Sequence, residues 1–200
     1  MKKFLNKYRI PSARAVWWNY SNEGSYFVTI CTYKKQLFFG SITDQKMELS
    51  EIGKLAHQFW FGIPDHFPFV KLHAFVVMPN HVHGIIEILN IAEETLHATS
   101  VHNGSHAASV HNGSHAASVQ DGLDSKNEKM AAISPKKGSL ASILRSYKSA
   151  VTKEARKTDP DFEWQERFHD HIIRDDQEYH RIANYINNNP RKWDEDKFNQ

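Results

Sequence analysis

The segment LHAFVVMPNHVHGIIEI, residues 72–88, constrains the fold of this chain more than any other stretch. Two runs rich in β-branched and apolar residues, 72–78 and 81–89, flank the dipeptide Pro79-Asn80. Apolar runs of this length predict strands, and a Pro-Asn dipeptide between them predicts a turn. The segment therefore predicts an antiparallel hairpin, and the chain has to supply a sheet around it.

The segments outside this hairpin predict a mixture of strands and helices. Residues 25–33, SYFVTICTY, alternate β-branched and aromatic side chains, which is typical of a strand. Apolar residues recur at helical spacing in 48–61, 139–157 and 175–188, which predicts three helices. Ser139 is the predicted N-cap of the second. Residues 63–69 predict a loop, and 159–174 predict a loop that leads into a short strand. This order predicts an α+β sandwich, an antiparallel sheet with helices packed on one face.

A low-complexity insertion interrupts what is otherwise one domain spanning 1–200. The sequence SVHNGSHAA occurs twice in tandem, at 100–108 and 109–117, and large apolar residues are scarce from 91 to 137. Such a composition buries too little surface to offset the entropy of ordering the chain. We therefore predict that 91–137 is a flexible insertion within a single domain.

Composition excludes some classes of protein. Hydrophobic residues make up 40% and charged residues 24% of the 200, which suits a globular domain, and the net charge of +2 alone indicates no partner. The single cysteine, Cys31, permits no internal disulfide and favours a cytoplasmic location. Because no apolar run reaches about 18 residues, no membrane span is expected.

The tripeptide His81-Val82-His83 is the strongest chemical signal. On a strand, residues two apart project from the same face, so both imidazoles point one way and Val82 points into the core. Two neutral imidazoles leave coordination positions open, which suits a catalytic metal that polarises a phosphodiester oxygen. A His-x-His on a strand is also common without a metal, and the preceding turn is what favours an accessible site here.

The hairpin LHAFVVMPNHVHGIIEI resembles the signature of the single-tyrosine HUH transposases, especially the REP-associated tyrosine transposase branch. The segments YFVTICTYKKQLFFG, WQERFHDHIIR and YINNNPRKW resemble the same family, so the resemblance extends over nearly the whole chain apart from 91–137. It implies a ferredoxin-like α+β fold in which His81 and His83 hold Mg²⁺ or Mn²⁺. It also implies a helical tyrosine that attacks single-stranded DNA beside a foldback hairpin and forms a 5′-phosphotyrosine intermediate.

The resemblance places the nucleophile on a helix after the histidine strand, and Tyr147 lies on the first such helix. Tyr147 is therefore the expected catalytic residue, although it also falls on the apolar stripe of its helix, where a core tyrosine would lie. Family nucleophiles often have a polar residue one turn later that completes the metal site. Position 151 is valine, which cannot ligate a metal, so Glu154 is a weaker substitute.

Basic and aromatic residues are the expected DNA contacts: Arg9, Arg14, Arg145, Lys148, Arg167 and His169, with Trp17 and Trp18 able to stack on bases or to pack in the core. His169 and His171 form a second His-x-His, which either holds another metal or lines the DNA surface and closes a hydrogen-bond network. The expected function is DNA transposition or recombination by a metal-dependent enzyme, with homodimers known among relatives. Two alternatives remain open: a hairpin-binding protein that does not cut, and a metallonuclease that uses water.

Overall fold

The structure is a computed structural model that describes residues 18–89 and 135–199, together with the backbone of two short paired strands near the start of the chain. Most of the predicted insertion, and the residues Arg9, Arg14 and Trp17, lie outside the described residues. The strands are β1 (Lys3–Phe4), β2 (Lys7–Tyr8), β3 (Gly24–Cys31), β4 (Gly40–Thr43), β5 (Lys46–Leu49), β6 (Val70–Met78), β7 (His81–Ile88) and β8 (His169–Ile173). The α-helices are α1 (Glu51–Phe61), α2 (Ile63–His66), α3 (Leu140–Thr158) and α4 (Asp176–Asn188).

A four-stranded sheet forms the centre of the protein. Its strand order is β6-β7-β3-β8, and every neighbouring pair is antiparallel. Along the chain the order β3-α1-β6-β7-α3-β8 is the split βαβ arrangement of ferredoxin-like domains. The predicted fold class, an α+β sandwich with helices packed on one face of an antiparallel sheet, is confirmed by α1 and α3, and the last helix, α4, adds a layer on the other face.

The larger core lies on the sheet face to which Val82 and Ile86 point. Helices α1 and α3 cover this face. Their buried side chains form one cluster with Val82 and Ile86, namely Ile52, Ala56, Trp60, Ile143, Leu144, Tyr147 and Val151. Trp60 packs directly on β7, since a Cβ built on Gly84 would lie 2.2 Å from its ring. Glycine at 84 therefore lets the tryptophan approach the backbone of the strand.

The opposite face, which we call the histidine face, carries His81, His83 and Ile85. Strand alternation places these three residues together, because the pleat has a period of two. Helix α4 packs on this face through Ile182 and Ile186, which form a smaller buried cluster with Ile85. The last helix therefore lies on the same side of the sheet as the histidine pair.

The helices begin where polar side chains satisfy their first amides. Ser50 accepts a hydrogen bond from the Gly53 amide, Ser139 from that of Ser142 and Asp175 from that of Glu178. The predicted hairpin and the N-cap at Ser139 are confirmed. Among the described helices, none is long and apolar enough to cross a membrane.

Two local predictions were wrong. The helix expected to begin at 48 begins at Glu51, because 40–49 form the β4-β5 hairpin, whose turn residues Asp44 and Gln45 both have positive φ. The loop predicted at 63–69 contains the single-turn helix α2, in which Pro64 occupies the first turn, where its missing amide costs no hydrogen bond.

Candidate active site

The β6-β7 hairpin presents His81 and His83 on the histidine face. The two residues pair with Met78 and Val76 on one side and with Cys31 and Thr29 on the other, so they lie in the middle of the sheet. Their Nε2 atoms are 3.0 Å apart, and both side chains are buried. The shared direction predicted from the His-x-His spacing is thus observed.

Neighbouring polar side chains hold the far nitrogen of each ring. Nδ1 of His81 lies 2.8 Å from Oδ1 of Asn80, and Nδ1 of His83 lies 2.8 Å from the hydroxyl oxygen of Thr29. Burial, reinforced by Lys197 and Lys35, lowers the pKa of His81 to about 3. Burial, and to a smaller extent the neighbouring His81, holds the pKa of His83 well below its usual range. Both rings are therefore neutral near pH 7, the state in which imidazole ligates a metal.

Asp196 supplies a third donor. It follows a 3₁₀ helix, Pro190–Glu195, and its carboxylate lies within 4.8 Å of the imidazole nitrogens of the pair. Two ligands at right angles on an octahedral ion, each at about 2.1 Å, are roughly 3.0 Å apart, and the two Nε2 atoms match that separation. Two imidazoles and a carboxylate on one side of a cavity suit a divalent cation with open positions.

Asn189 adds a polar atom that has no partner. Its side chain is buried, and Oδ1 has no hydrogen-bond partner among the residues that the structure describes. Because Asn189 keeps helical backbone angles at the end of α4, it lies one turn after Tyr185 on the same face. An uncompensated buried amide oxygen is costly, which is consistent with a cation completing its environment.

Tyr185 is the tyrosine at the histidine pair. Its hydroxyl lies 3.3 Å from Nε2 of His83, and its ring is 5.3 Å from that imidazole. The side chain keeps 42% of its surface exposed, so its hydroxyl remains within reach of a ligand in the cavity. Burial and the nearby Asp196 raise the pKa of Tyr185, against a hydrogen bond with Asn189 that lowers it. The phenol is therefore protonated near pH 7.

Tyr147 lies on the other side of the sheet. It is only 2% exposed, its ring meets that of Trp60 edge-on, and its hydroxyl donates to the carbonyl of Ala56. Burial raises the pKa of this phenol well above its usual value. The structure does not bring Tyr147 to the histidine pair, because α3 covers the Val82 face. Tyr147 lies in the core, which was the alternative to a catalytic position.

Glu154 is likewise on α3 and does not join the histidine pair. Its carboxylate accepts a hydrogen bond from Lys157 at 2.6 Å, one turn along the same helix. The cluster of metal-ligating groups around His81 and His83 contains Asp196 in its place. In the structure Asp196, and not the expected Glu154, lies beside the two histidines.

A large cavity opens beside the pair, between α4 and the β3-β8 half of the sheet. Its volume is about 1220 Å³, and its floor is formed by Phe27, Thr29 and Cys31. Basic side chains surround it, namely Arg167, Arg181, Arg191, Lys192 and Lys197, with Glu195 and Asp196 also at its border. Tyr185 and His83 both line this cavity, so the candidate metal site opens into a predominantly basic space.

Of the predicted DNA contacts that the structure describes, Arg167 and His169 line this cavity. Arg145 and Lys148 are on α3 and are not among the described lining residues; the Lys148 ammonium donates to the carbonyl of Gln165. The two histidines of the second His-x-His make different contacts. His171 pairs with Glu178 at 2.8 Å and thereby joins β8 to α4, whereas His169 lines the cavity. Trp18 donates to the hydroxyl of Tyr26.

The fold and this site define a class, the ferredoxin-like α+β domains with a histidine pair on the central sheet. Among solved structures, the protein is similar to the REP-associated tyrosine transposase bound to a REP hairpin, with a TM-score of 0.50 and 17% identity over 90% of this chain and 74% of that chain. This similarity shows a shared fold. No protein-family model matches the sequence.

A sequence relative defines the family more closely. The chain is 36% identical over 191 residues to an uncharacterized protein of Haemophilus influenzae, covering 94% of this chain and 91% of that protein. The chain belongs to the same family as this Haemophilus influenzae protein.

Sequence reasoning missed Tyr185, Asn189 and Asp196. The first two lie within YINNNPRKW, a segment that carries the family resemblance, and a tyrosine with a polar residue one turn later was the expected pattern. The same pattern occurs on α4, where Tyr185 is followed one turn later by Asn189. Asp196 lies in an irregular segment with no periodic signal.

Proposed function

We propose that this protein is a metal-dependent transposase-type enzyme that nicks and rejoins single-stranded DNA, with Tyr185 as its nucleophile. The observation that carries this proposal is the placement of the Tyr185 hydroxyl 3.3 Å from His83, in the same cluster as His81 and Asp196. A nucleophile, a set of metal ligands and a basic cavity together match what phosphodiester transfer requires.

His81, His83 and Asp196 are the residues that would hold the cation, with Oδ1 of Asn189 as a further oxygen donor. Bound Mg²⁺ or Mn²⁺ would supply positive charge to the phosphate oxygens during transfer. The neutral imidazoles and the unpartnered amide oxygen are donors that suit such an ion. The sheet fixes the two histidines more rigidly than a loop would.

Tyr185 carries the covalent step. Its phenol loses a proton to solvent in the open cavity, and the oxygen attacks phosphorus as the bond to the 3′ oxygen breaks. The departing 3′ oxygen takes up a proton, which leaves a free 3′-hydroxyl and a 5′-phosphotyrosine. Because one phosphodiester replaces another, attack by a 3′-hydroxyl reverses the step and restores the tyrosine. The exposed side of the ring gives the phosphate access.

The cavity suits an unpaired strand. Bases can lie against apolar and aromatic side chains, including Phe27, Phe168 and Phe198, while phosphates meet the surrounding arginines and lysines. A hairpin beside that strand is the expected neighbour, and the solved protein of the same fold is bound to a REP hairpin. We therefore propose hairpin-flanking single-stranded DNA as the substrate. We propose the cytoplasm as the location of the protein.

The test is formation of protein-linked DNA. The full chain is incubated with Mn²⁺ and a 3′-labelled hairpin bearing a single-stranded flank, because the 3′ end stays on the fragment joined through its 5′-phosphate, and adducts are resolved on a denaturing gel. We expect an adduct with the wild type and with Tyr147→Phe, and none with Tyr185→Phe. Cleavage that persists in Tyr185→Phe without an adduct would indicate a water-using metallonuclease. Hairpin binding without cleavage by the wild type would indicate a binding protein.

A further inference from the structure

Asn80, the residue before the histidine pair, contacts more of the site than its place in a turn requires. Its side chain is fully buried and bonds to the adjacent His81 and to two distant segments of the chain. We propose that Asn80 is a positioning residue that sets the imidazole tautomer of His81 and holds the segment carrying Asp196 in place. This inference deepens the proposed function and rests on it for its catalytic meaning.

The orientation of the Asn80 amide follows from its partners. Nδ2 donates to the backbone carbonyl of Phe198 at 2.8 Å and to that of Lys35 at 3.2 Å. Carbonyl oxygens only accept hydrogen bonds, so the nitrogen of the amide has to face them. Oδ1 therefore faces the remaining partner, Nδ1 of His81, at 2.8 Å.

This orientation determines where the proton of His81 lies. An amide oxygen only accepts, so Nδ1 of His81 has to carry the proton. In a neutral imidazole the other nitrogen then carries the lone pair. Nε2 is therefore the ligating atom, and it points at Nε2 of His83 at 3.0 Å. Two backbone carbonyls thus fix the tautomer that metal ligation through Nε2 needs.

The Asn80 side-chain amide also holds the segment around Phe198 against the hairpin. Its bond to Phe198 lies two residues after Asp196, and the Asp196 carboxylate in turn accepts from the Phe198 amide at 2.7 Å. The Phe198 ring packs on His81 with centroids 4.5 Å apart, and the Lys35 ammonium donates to the Lys197 carbonyl. Asn80 therefore joins the strand that bears the histidines to the segment that supplies the third donor.

Replacement by aspartate separates the two roles. A carboxylate keeps an acceptor for Nδ1 of His81 but has no hydrogen to donate to the carbonyls of Lys35 and Phe198. Alanine removes both functions. A matched control is Thr32→Val, because the Thr32 hydroxyl bonds the Asn80 and Gln36 carbonyls and so supports the same turn without contacting the amide.

The experiment measures the tautomer and the metal separately. Long-range ¹⁵N–¹H NMR of the metal-free protein reports which nitrogen of His81 is protonated, and titration with Mn²⁺ alone reports affinity. We expect Nδ1–H in the wild type, in Thr32→Val and in Asn80→Asp. Asn80→Ala should lose this single tautomer and bind Mn²⁺ about 10- to 100-fold more weakly.

An unchanged His81 tautomer and an unchanged Mn²⁺ affinity in Asn80→Ala would overturn the inference. An equal loss of Mn²⁺ affinity in Thr32→Val would also overturn it, since the stability of the turn would then explain the effect. If Asn80→Ala does not fold, a mixed His81 tautomer in Asn80→Asp overturns it. The DNA adduct is scored independently on the wild type. Absence of the adduct with an Asn80-dependent tautomer would refute the proposed function while leaving the role of Asn80 at His81 intact.

Discussion

The hydroxyl of Tyr185 lies 3.3 Å from Nε2 of His83, whereas the hydroxyl of Tyr147 donates to the carbonyl of Ala56 across the sheet. Tyr185 is half-exposed beside the histidine pair, and Tyr147 is buried in the core. Under the proposed function Tyr185 contributes to the chemistry and Tyr147 to stability, and we expect substitution to separate the two contributions.

Tyr147→Phe should destabilise the fold without touching the site. The change removes a buried hydrogen bond and leaves the Ala56 carbonyl with one partner fewer, which costs about 0.5–1.5 kcal/mol of unfolding free energy. Tyr185→Phe should leave the unfolding free energy within roughly 0.5 kcal/mol of the wild type, because the side chain is on the surface. Urea denaturation followed by tryptophan fluorescence measures both. The reverse order of stabilities would contradict the placement of the two residues.

Mn²⁺ should stabilise the protein through the histidine pair. An ion that binds only the folded state at a hundred times its dissociation constant adds about 2.7 kcal/mol and raises the melting temperature. We expect this shift to vanish in His81→Ala and the Mn²⁺ affinity to fall at least roughly tenfold in Asp196→Asn. Glu154→Gln is the control, because that carboxylate pairs with Lys157 on α3. A shift that survives His81→Ala would place the ion elsewhere.

The histidine pair was predictable because its geometry is local. A strand with a period of two decides the direction of His81 and His83, and the apolar runs on both sides of Pro79-Asn80 identify that strand. The helices were predictable for the same reason, from their own apolar stripes. Those stripes say that a helix packs against something, and they do not say against which face of the sheet.

Which tyrosine lies at the histidine pair could not be predicted from such local patterns. Helix α3 returns from the insertion onto the Val82 face, while α4 follows the edge strand β8 and crosses the histidine face. Only this tertiary path separates Tyr147 from Tyr185. Asp196 was harder still, because it reaches the pair through hydrogen bonds of an irregular segment to Asn80. Such contacts join residues more than a hundred positions apart and leave no periodic pattern.

The salt dependence of DNA binding should identify the basic residues that contact phosphate. Each contact with a single strand contributes about 0.7 to the slope of log affinity against log salt concentration. Arg167→Ala and Arg191→Ala should each lower the magnitude of this slope by about that amount, since both line the cavity. Arg145→Ala, a charge-matched control on α3, should leave it unchanged. Fluorescence anisotropy of a labelled single strand at several salt concentrations measures the slope, and an effect confined to Arg145→Ala would exclude the cavity as the DNA site.

Deletion of residues 100–117 should leave the folded core intact. Leu89, just before the predicted insertion, and Lys137, its last residue, line one small cavity together, so the two described segments of the chain are already close at this point. A shorter connection costs little because closure entropy varies slowly with loop length, by about 0.6 kcal/mol for a doubling. The melting temperature and Mn²⁺ affinity should match the full chain. Loss of either would show that the tandem repeats belong to the folded domain.

Gly84→Ala should weaken the strand that carries both histidines. The added Cβ would lie 2.2 Å from the Trp60 ring, and overpacking of a filled core costs about 1–3 kcal/mol. Trp60 cannot retreat freely, because its ring also stacks on Phe75 at 4.4 Å and meets Tyr147 edge-on. The matched control is Gly62→Ala, whose Cβ would meet nothing closer than 3.7 Å. Thermal unfolding of the two variants makes the comparison, and equal stability would mean that the core relaxes around position 84. We expect the Cβ of Gly84→Ala to push β7 away from Trp60 and thereby to lower Mn²⁺ affinity at His81 and His83, whereas Gly62→Ala should leave that affinity unchanged.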